Sequence, residues 1–270
     1  MSAPIFVKLG GSVITDKNHE AVAYPDVLRR LAREIAAARA ARPDLALVLG
    51  HGSGSFGHFV GRRYGTHLGL HGGGGWVGYV QTGAAAARLN RLVADIFLAE
   101  GLPVVSVQPS ASARCRAREL VGLDVRPIRE LLAAACIPLV YGDVALDVTQ
   151  GFCIISTETL FTYLAHRLRP SRILLLGRVD GVHTADPLRD PTADLVPEIT
   201  PDNVATVDAL LGGSHGVDVT GGMWSKVRDM FALARARPGL RVQILSGQEP
   251  GLLEDALLHP DKPIGTMIRG

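Results

Sequence analysis

Three stretches of the 270-residue chain bring glycines together with lysine or histidine. They are Lys8-Leu9-Gly10-Gly11-Ser12, Gly50-His51-Gly52-Ser53-Gly54-Ser55-Phe56-Gly57-His58 and Asp218-Val219-Thr220-Gly221-Gly222-Met223-Trp224-Ser225-Lys226. Without a side chain, glycine lets backbone N–H groups come close to an anion, and a helix starting just beyond such a loop adds a favourable dipole. Taken singly, a glycine loop is as well explained by turn geometry as by a ligand. Three of them, two with a lysine, point to the handling of phosphate.

The second loop contains a literal G-x-G-x-x-G, Gly52 to Gly57, after the apolar run Leu45–Gly50. A nicotinamide site places an acidic residue about 20 residues further on to bond the ribose hydroxyls. No Asp or Glu stands between Asp44 and Asp95; that interval carries Arg62, Arg63, Arg88, Arg91 and four histidines instead. Such a region suits an anion, and the dinucleotide fingerprint also belongs on the first strand, whereas this is the second. A Walker loop is excluded because the chain has no Gly-Lys dipeptide, and the protein-kinase H-R-D and D-F-G signatures are missing.

Each candidate residue has a plainer explanation. Lys8, closing an apolar strand, can snorkel to water; the glycine pair that follows favours a phosphate contact. Lys226 follows Gly221-Gly222 at a spacing that fits the first turn of a helix, where surface lysines are common. Lys17, in Val13-Ile14-Thr15-Asp16-Lys17, is equally at home in solvent. His58, expected in the first turn of the helix after the second loop, either faces water or bonds an anion held at that helix end.

These loops need strands whose carboxyl ends lie side by side. Six short runs, PIFVKL, LALVLG, LPVVSV, IPLVYG, RILLLG and RVQILS, are nearly continuous in apolar character, as strands buried on both faces are. Helical patterns separate them at 25–41, 75–100, 128–135, 157–168, 201–211 and 222–237, with Pro25-Asp26 and Pro201-Asp202 read as first turns. VALDVTQGFCII reads as a hairpin turning near 149–151, and 186–194 as an exposed loop. The alternation predicts an α/β fold, an αβα sandwich on a mostly parallel central sheet. Ligands in such sheets bind at the carboxyl ends of the strands, where the glycine loops fall.

Composition narrows the partners. A net charge of +2 with interspersed signs argues against nucleic acid or a membrane surface. No run of about 18 apolar residues is present to span a bilayer, and the first residues lack a signal-peptide pattern. Cys115, Cys136 and Cys153 make no C-x-x-C pair and fit a reducing cytoplasm. The nine histidines are scattered, without H-E-x-x-H, so no protein metal site is expected.

Taken in order, KLGGSVITDK, HGSGSFGH, LNRLVADIFLAEGLPVVSVQPS, YGDVALD, GFCIIS, VDGVHTADP, DVTGGMWSKV and the closing PIGTMIRG cover nearly the whole chain. Together they resemble the amino acid kinase superfamily and, within it, the isopentenyl phosphate kinases. The glycine and lysine loops are shared across the superfamily. The histidine ending the second loop is more discriminating, being similar to the one with which isopentenyl phosphate kinases and fosfomycin kinases hold an acceptor phosphate or phosphonate.

The resemblance implies one amino acid kinase domain over 1–270, with an acceptor lobe over roughly 1–170 and an ATP lobe over roughly 171–270. It implies ATP-dependent phosphorylation of isopentenyl phosphate to isopentenyl diphosphate, with Mg2+ carried on the ATP oxygens, in a cytoplasmic homodimer. By position, Lys8 and Lys226 bracket the transferring group, Lys17 contacts phosphates and His58 bonds the acceptor phosphate. Gly10, Gly11, Ser12 and Gly54 offer backbone donors to ATP, Gly222 opens the helix bearing Lys226, and Ser53 and Thr157 line the acceptor site. Val77, Tyr79 and Val80 are candidate liners for its apolar part. The family's Ser-Gly-Asp is Ser156-Thr157-Glu158 here, so Glu158 takes the place of the acid that orients the lysines, one methylene longer. Arg178 and His183 stand near the nucleotide where an acidic or small residue and a tyrosine are usual. The alternatives are a kinase for a phosphonate such as fosfomycin or another small phosphorylated alcohol, and a nucleotide-binding regulator without turnover.

Overall fold

The computed structural model describes residues 2–212 and 223–270; of Leu211 and Gly212 it describes only the backbone. The chain opens with β1 (Ile5–Leu9), α1 (Gly11–Ile14), α2 (Pro25–Ala41), β2 (Leu47–His51), α3 (Gly54–Arg63) and α4 (Gly75–Ala99). Then come β3 (Val104–Ser106), β4 (Arg114–Arg116), β5 (Glu119–Gly122), α5 (Arg126–Ala133), β6 (Ile137–Tyr141), β7 (Asp143–Asp147) and β8 (Gly151–Ile155). The second half holds α6 (Thr157–Leu168), β9 (Arg172–Gly177), β10 (Val182–His183), β11 (Leu195–Val196), β12 (Glu198–Ile199) and α7 (Val204–Gly212). It closes with α8 (Met223–Ala236), β13 (Arg241–Ser246), α9 (Leu252–Leu258) and β14 (Thr266–Ile268).

The six apolar runs all become strands of one eight-stranded sheet, ordered β12-β14-β13-β9-β1-β2-β6-β3. Its pairings are parallel except for β13 with β14. Alternation along β1 sends Val7 and Leu9 into one core with α2, α4 and α9, and Phe6 into another with α6 and α8. The two apolar layers on opposite faces make the predicted αβα sandwich. In α2, Pro25 sits in the first turn, and Leu28, Leu31, Ala32, Ile35 and Ala38 make the buried stripe of an amphipathic helix. The hairpin β7–β8 joins a second sheet, β5-β4-β7-β8.

Boundaries differ in instructive places. The helix expected from Pro201 starts at Val204, because Asn203 closes the preceding turn: its Oδ1 accepts from Thr200 N (2.8 Å) and its Nδ2 donates to the Glu198 carbonyl (2.8 Å). The β4–β5 hairpin and the two-residue ribbon β10–β11 were not expected. Asp218 to Gly222, including the proposed helix opener, lies outside the described residues.

Candidate active site

Lys8 lies two residues beyond Phe6 and so faces the α6 layer, where Phe6 and Phe161 have their rings 5.0 Å apart. Ser156 caps α6, its hydroxyl accepting from Thr159 N (3.0 Å), which puts Glu158 in the first turn, where an anion is favoured. In register with Lys8 on β2 is Gly50. A Cβ there would stand 2.6 Å from Thr157 Cγ2 and 2.8 Å from the Phe161 ring. Only glycine lets the start of α6 lie so close on the sheet. The result is a short ion pair, Lys8 Nζ donating to Glu158 Oε1 at 2.6 Å, with both side chains largely buried.

Burial alone would raise the pKa of Glu158, but the charges of Lys8 and then Lys226 outweigh it and hold the carboxyl below its ordinary range. Lys226, in the first turn of α8, is thereby near enough to bias the same carboxylate that Lys8 contacts, although 218 positions separate the two. Asp229, one turn further along α8, is pushed up by partial desolvation and by the charge of Glu158. Two ammonium groups far apart in the chain thus act on one acid, Lys8 by direct contact and Lys226 through its charge.

The first two glycine loops pack backbone against backbone. Gly10 N donates to the Leu176 carbonyl of β9 (3.0 Å), and a Cβ on Gly11 would meet Gly54 Cα at 2.9 Å. Gly54 has φ +50°, and a side chain there would collide with the Thr15 hydroxyl. That hydroxyl donates to the Gly11 carbonyl (2.7 Å) and accepts from Ser55 N (2.9 Å), locking the loops together. Ser12 follows Gly11 in the first turn of α1, whose leading N–H groups have no acceptor within the helix. Ser53 precedes α3, and His58 is exposed on that helix. Because α3 starts at Gly54, His58 opens its second turn, not the first as the sequence reading had it.

Other candidates are more dispersed. Lys17 is exposed in the loop after α1. Asp16 beside it is held below the ordinary carboxylate range by the Asn18 N–H and His19, with a smaller contribution from Arg178, so Arg178 at the end of β9 reaches toward this loop. Thr157 is buried and gives its hydroxyl to the His51 carbonyl (2.6 Å). His183 staples the loop after β9, with Nε2 2.7 Å from Asp180 Oδ1 and Nδ1 3.1 Å from the Ala193 carbonyl.

Sequence reasoning passed over Thr15, Asn90 and the ring of His51. His51 ends β2 and is fully buried, with Nδ1 2.9 Å from the Gly52 carbonyl and Nε2 3.1 Å from Asn90 Nδ2. Burial pushes its pKa down to about 4 despite the Gly52 bond, and Lys8 adds to the effect. The one available signal was a histidine closing an otherwise apolar strand.

The sequence profile of the amino acid kinase family matches residues 4–246. The chain belongs to that family. It is 39% identical to an isopentenyl phosphate kinase of Methanothermobacter thermautotrophicus over 98% of this chain and 99% of that protein. To the isopentenyl phosphate kinase of Methanocaldococcus jannaschii it is 32% identical, covering 86% of this chain and 87% of the other. Among solved structures, one of isopentenyl phosphate kinase superposes with a TM-score of 0.82 at 35% identity, covering 98% and 99% of the two chains.

A cavity of about 330 Å³ opens between α4 and the β3–β4 connection, lined by Tyr79, Val80, Gly83, Gln108, Ser110 and Val144. Tyr79 and Val80 are therefore placed on it; Val77 is not among its lining and is exposed. Asp143 is buried close by, its carboxylate accepting from Ser110 N (3.1 Å) and Val144 N (2.8 Å), and burial raises its pKa. A second cavity, of about 310 Å³, lies between α7 and α8 beside Asp208, Arg228 and Asp229. Among the described residues no three His, Cys, Asp or Glu side chains come together as a metal site, and no helix is long and apolar enough to cross a membrane.

Proposed function

We propose that the protein transfers the γ-phosphoryl group of ATP to isopentenyl phosphate, giving isopentenyl diphosphate and ADP. The observation that carries this reading is the convergence of Lys8 and Lys226 on Glu158 at the carboxyl end of β1. An oxygen of the acceptor phosphate attacks the γ-phosphorus while the bond to the β,γ-bridging oxygen breaks and ADP leaves with that electron pair. The acceptor oxygen is already ionised, so no general base is required, and catalysis rests on positioning and charge neutralisation. Lys8 and Lys226 supply the positive charge, and Glu158 fixes where Lys8 points. Gly10, Gly11, Ser12 and Gly54 offer main-chain N–H groups to the nucleotide, with Arg178 and Lys17 adding charge at the rim. His58, Ser53 and Thr157 belong to the acceptor side.

In this reading residues 1–170 form the acceptor lobe and 171–270 the nucleotide lobe of one domain. The donor set fits Mg2+ held by phosphate oxygens and water, since the acid nearest the site is engaged by Lys8. The enzyme works in the cytoplasm as a homodimer. A coupled ADP-release assay with isopentenyl phosphate, fosfomycin or buffer alone tests the proposal. Turnover with isopentenyl phosphate is expected; turnover with fosfomycin alone would reassign the acceptor, and none with either would favour a regulator.

A further inference from the structure

The His51 ring sits at a junction of four elements. Its main-chain carbonyl accepts from Thr157 Oγ1 of α6 (2.6 Å) and from Gly142 N between β6 and β7 (2.9 Å). The ring lies parallel to Tyr141, with centroids 5.6 Å apart and planes 9° apart. Asn90 of α4 meets Nε2, and its own Oδ1 accepts from the Ser106 hydroxyl at the end of β3. Charged and titratable neighbours are Lys8 on β1, tied to Glu158 on α6, and Tyr141 on β6.

These contacts fix the proton. The Gly52 carbonyl only accepts, so Nδ1 carries the hydrogen. A second N–H on Nε2 would make a buried cation beside Lys8, which desolvation and the ammonium charge both oppose. Nε2 is therefore bare and accepts from the Asn90 amide.

The consequence lies in the next peptide. In a trans peptide the carbonyl and the following N–H point in opposite directions. Drawing the Gly52 carbonyl toward the ring turns the Ser53 N–H the other way. That N–H makes no hydrogen bond among the described residues. It lies beside Gly142, where a Cβ would stand 3.5 Å from Ser53 N and 3.6 Å from Thr157 Oγ1.

We propose that His51 is a positioning residue, its neutral ring holding the Gly52 carbonyl so that the Ser53 N–H is presented to the acceptor phosphate. The inference rests on the phosphoryl-transfer reading for its ligand, and on geometry for the ring. It assigns to Asn90 the task of fixing the tautomer.

Nitrogen NMR of the imidazole in the whole protein tests the ring without any turnover. The expected result at pH 7 is a neutral His51 protonated at Nδ1; protonation at Nε2, or at both nitrogens, would overturn the proposal. Steady-state kinetics with ATP and isopentenyl phosphate test its purpose. His51→Leu should raise the acceptor KM by about tenfold or more, the order expected for losing a hydrogen bond to an anion, and leave the ATP KM within about twofold. His51→Asn, which keeps an N–H near the Nδ1 position, should restore most of that loss. If His51→Leu does not fold, Asn90→Leu serves in its place, with an acceptor-selective rise of about threefold. Equal changes in both KM values, or an Asn variant no better than Leu, would show that the ring is only packing. A wild-type enzyme without turnover on any acceptor would instead refute the functional reading, and the NMR result would still decide the tautomer.

Discussion

Replacing Glu158 with Gln removes one charge and little shape, and so tests whether the carboxylate organises the lysines. At 2.6 Å from Lys8 Nζ, and at an effective dielectric of about 20, the attraction removed is roughly 6 kcal/mol. Most of that offsets the desolvation of two ions, and breaking such a buried pair typically costs about 3–5 kcal/mol. Gln keeps an acceptor oxygen for Lys8, so the protein should still fold. The two ammonium groups, no longer balanced, should move apart, and a displacement of about 1 Å at a reacting centre costs on the order of a hundredfold in rate. The ADP-release assay should therefore show kcat reduced about a hundredfold, with a smaller change in the KM for ATP. Glu158→Asp, one methylene shorter, should lose about tenfold, since the charge remains but the reach does not. A Gln variant that folds normally and turns over within twofold of the wild type would refute the argument. The sign of the pH effect gives an independent check. The pKa of Glu158 is lower folded than unfolded, so its contribution to stability is complete above the unfolded value of about 4.3 and is lost as pH falls through the folded one. Chemical denaturation should thus show the wild type losing its advantage over Glu158→Gln only in acid.

His58→Ala should raise the KM for isopentenyl phosphate and leave ATP binding, measured by calorimetry, largely intact; equal loss of both would mean the histidine serves another role. Gly50→Ala forces a methyl into Thr157 and Phe161. Overpacking of roughly 1–3 kcal/mol should lower Tm by about 3–10 °C, and lifting α6 should also depress kcat. Arg172, buried and lowered to about pKa 10, donates to the Ala256 carbonyl (2.8 Å) and to Gln243 Oε1 (2.7 Å). Arg172→Met strands both acceptors and should cost about 2–4 kcal/mol in urea unfolding, with both KM values unchanged.

Much of this architecture was legible because burial on both faces writes strands as unbroken apolar runs, and RILLLG and RVQILS match β9 and β13 residue for residue. The helix at 157–168 was equally plain, with its Ser156 cap and acidic first turn. What escaped were features set by contacts distant in sequence. The start of α7 is governed by the Asn203 side chain, which outweighs the helix signal of Pro201. Gly50 looked like one more loop glycine, yet its missing side chain is what brings Glu158 down to Lys8, a relation that exists only once β2 lies under α6. Thr15 gave no pattern at all, because its two hydrogen bonds join loops 40 positions apart. The pairing of His51 with Asn90 was hidden for the same reason: neither residue type in isolation announces a partner across the core.

β1 takes one neighbour from β2 and the other from β9, so the strand that carries Lys8 is hemmed by segments made at very different times. The ribosome must add nearly 170 further residues after Leu9 before Gly177 emerges, roughly 10–30 s at ordinary elongation rates. Throughout that interval a nascent chain carries an apolar strand with one unzipped edge, an open invitation to pairing with a stranger. The same topology that makes the site thus leaves that edge without its native neighbour until the second half of the chain arrives.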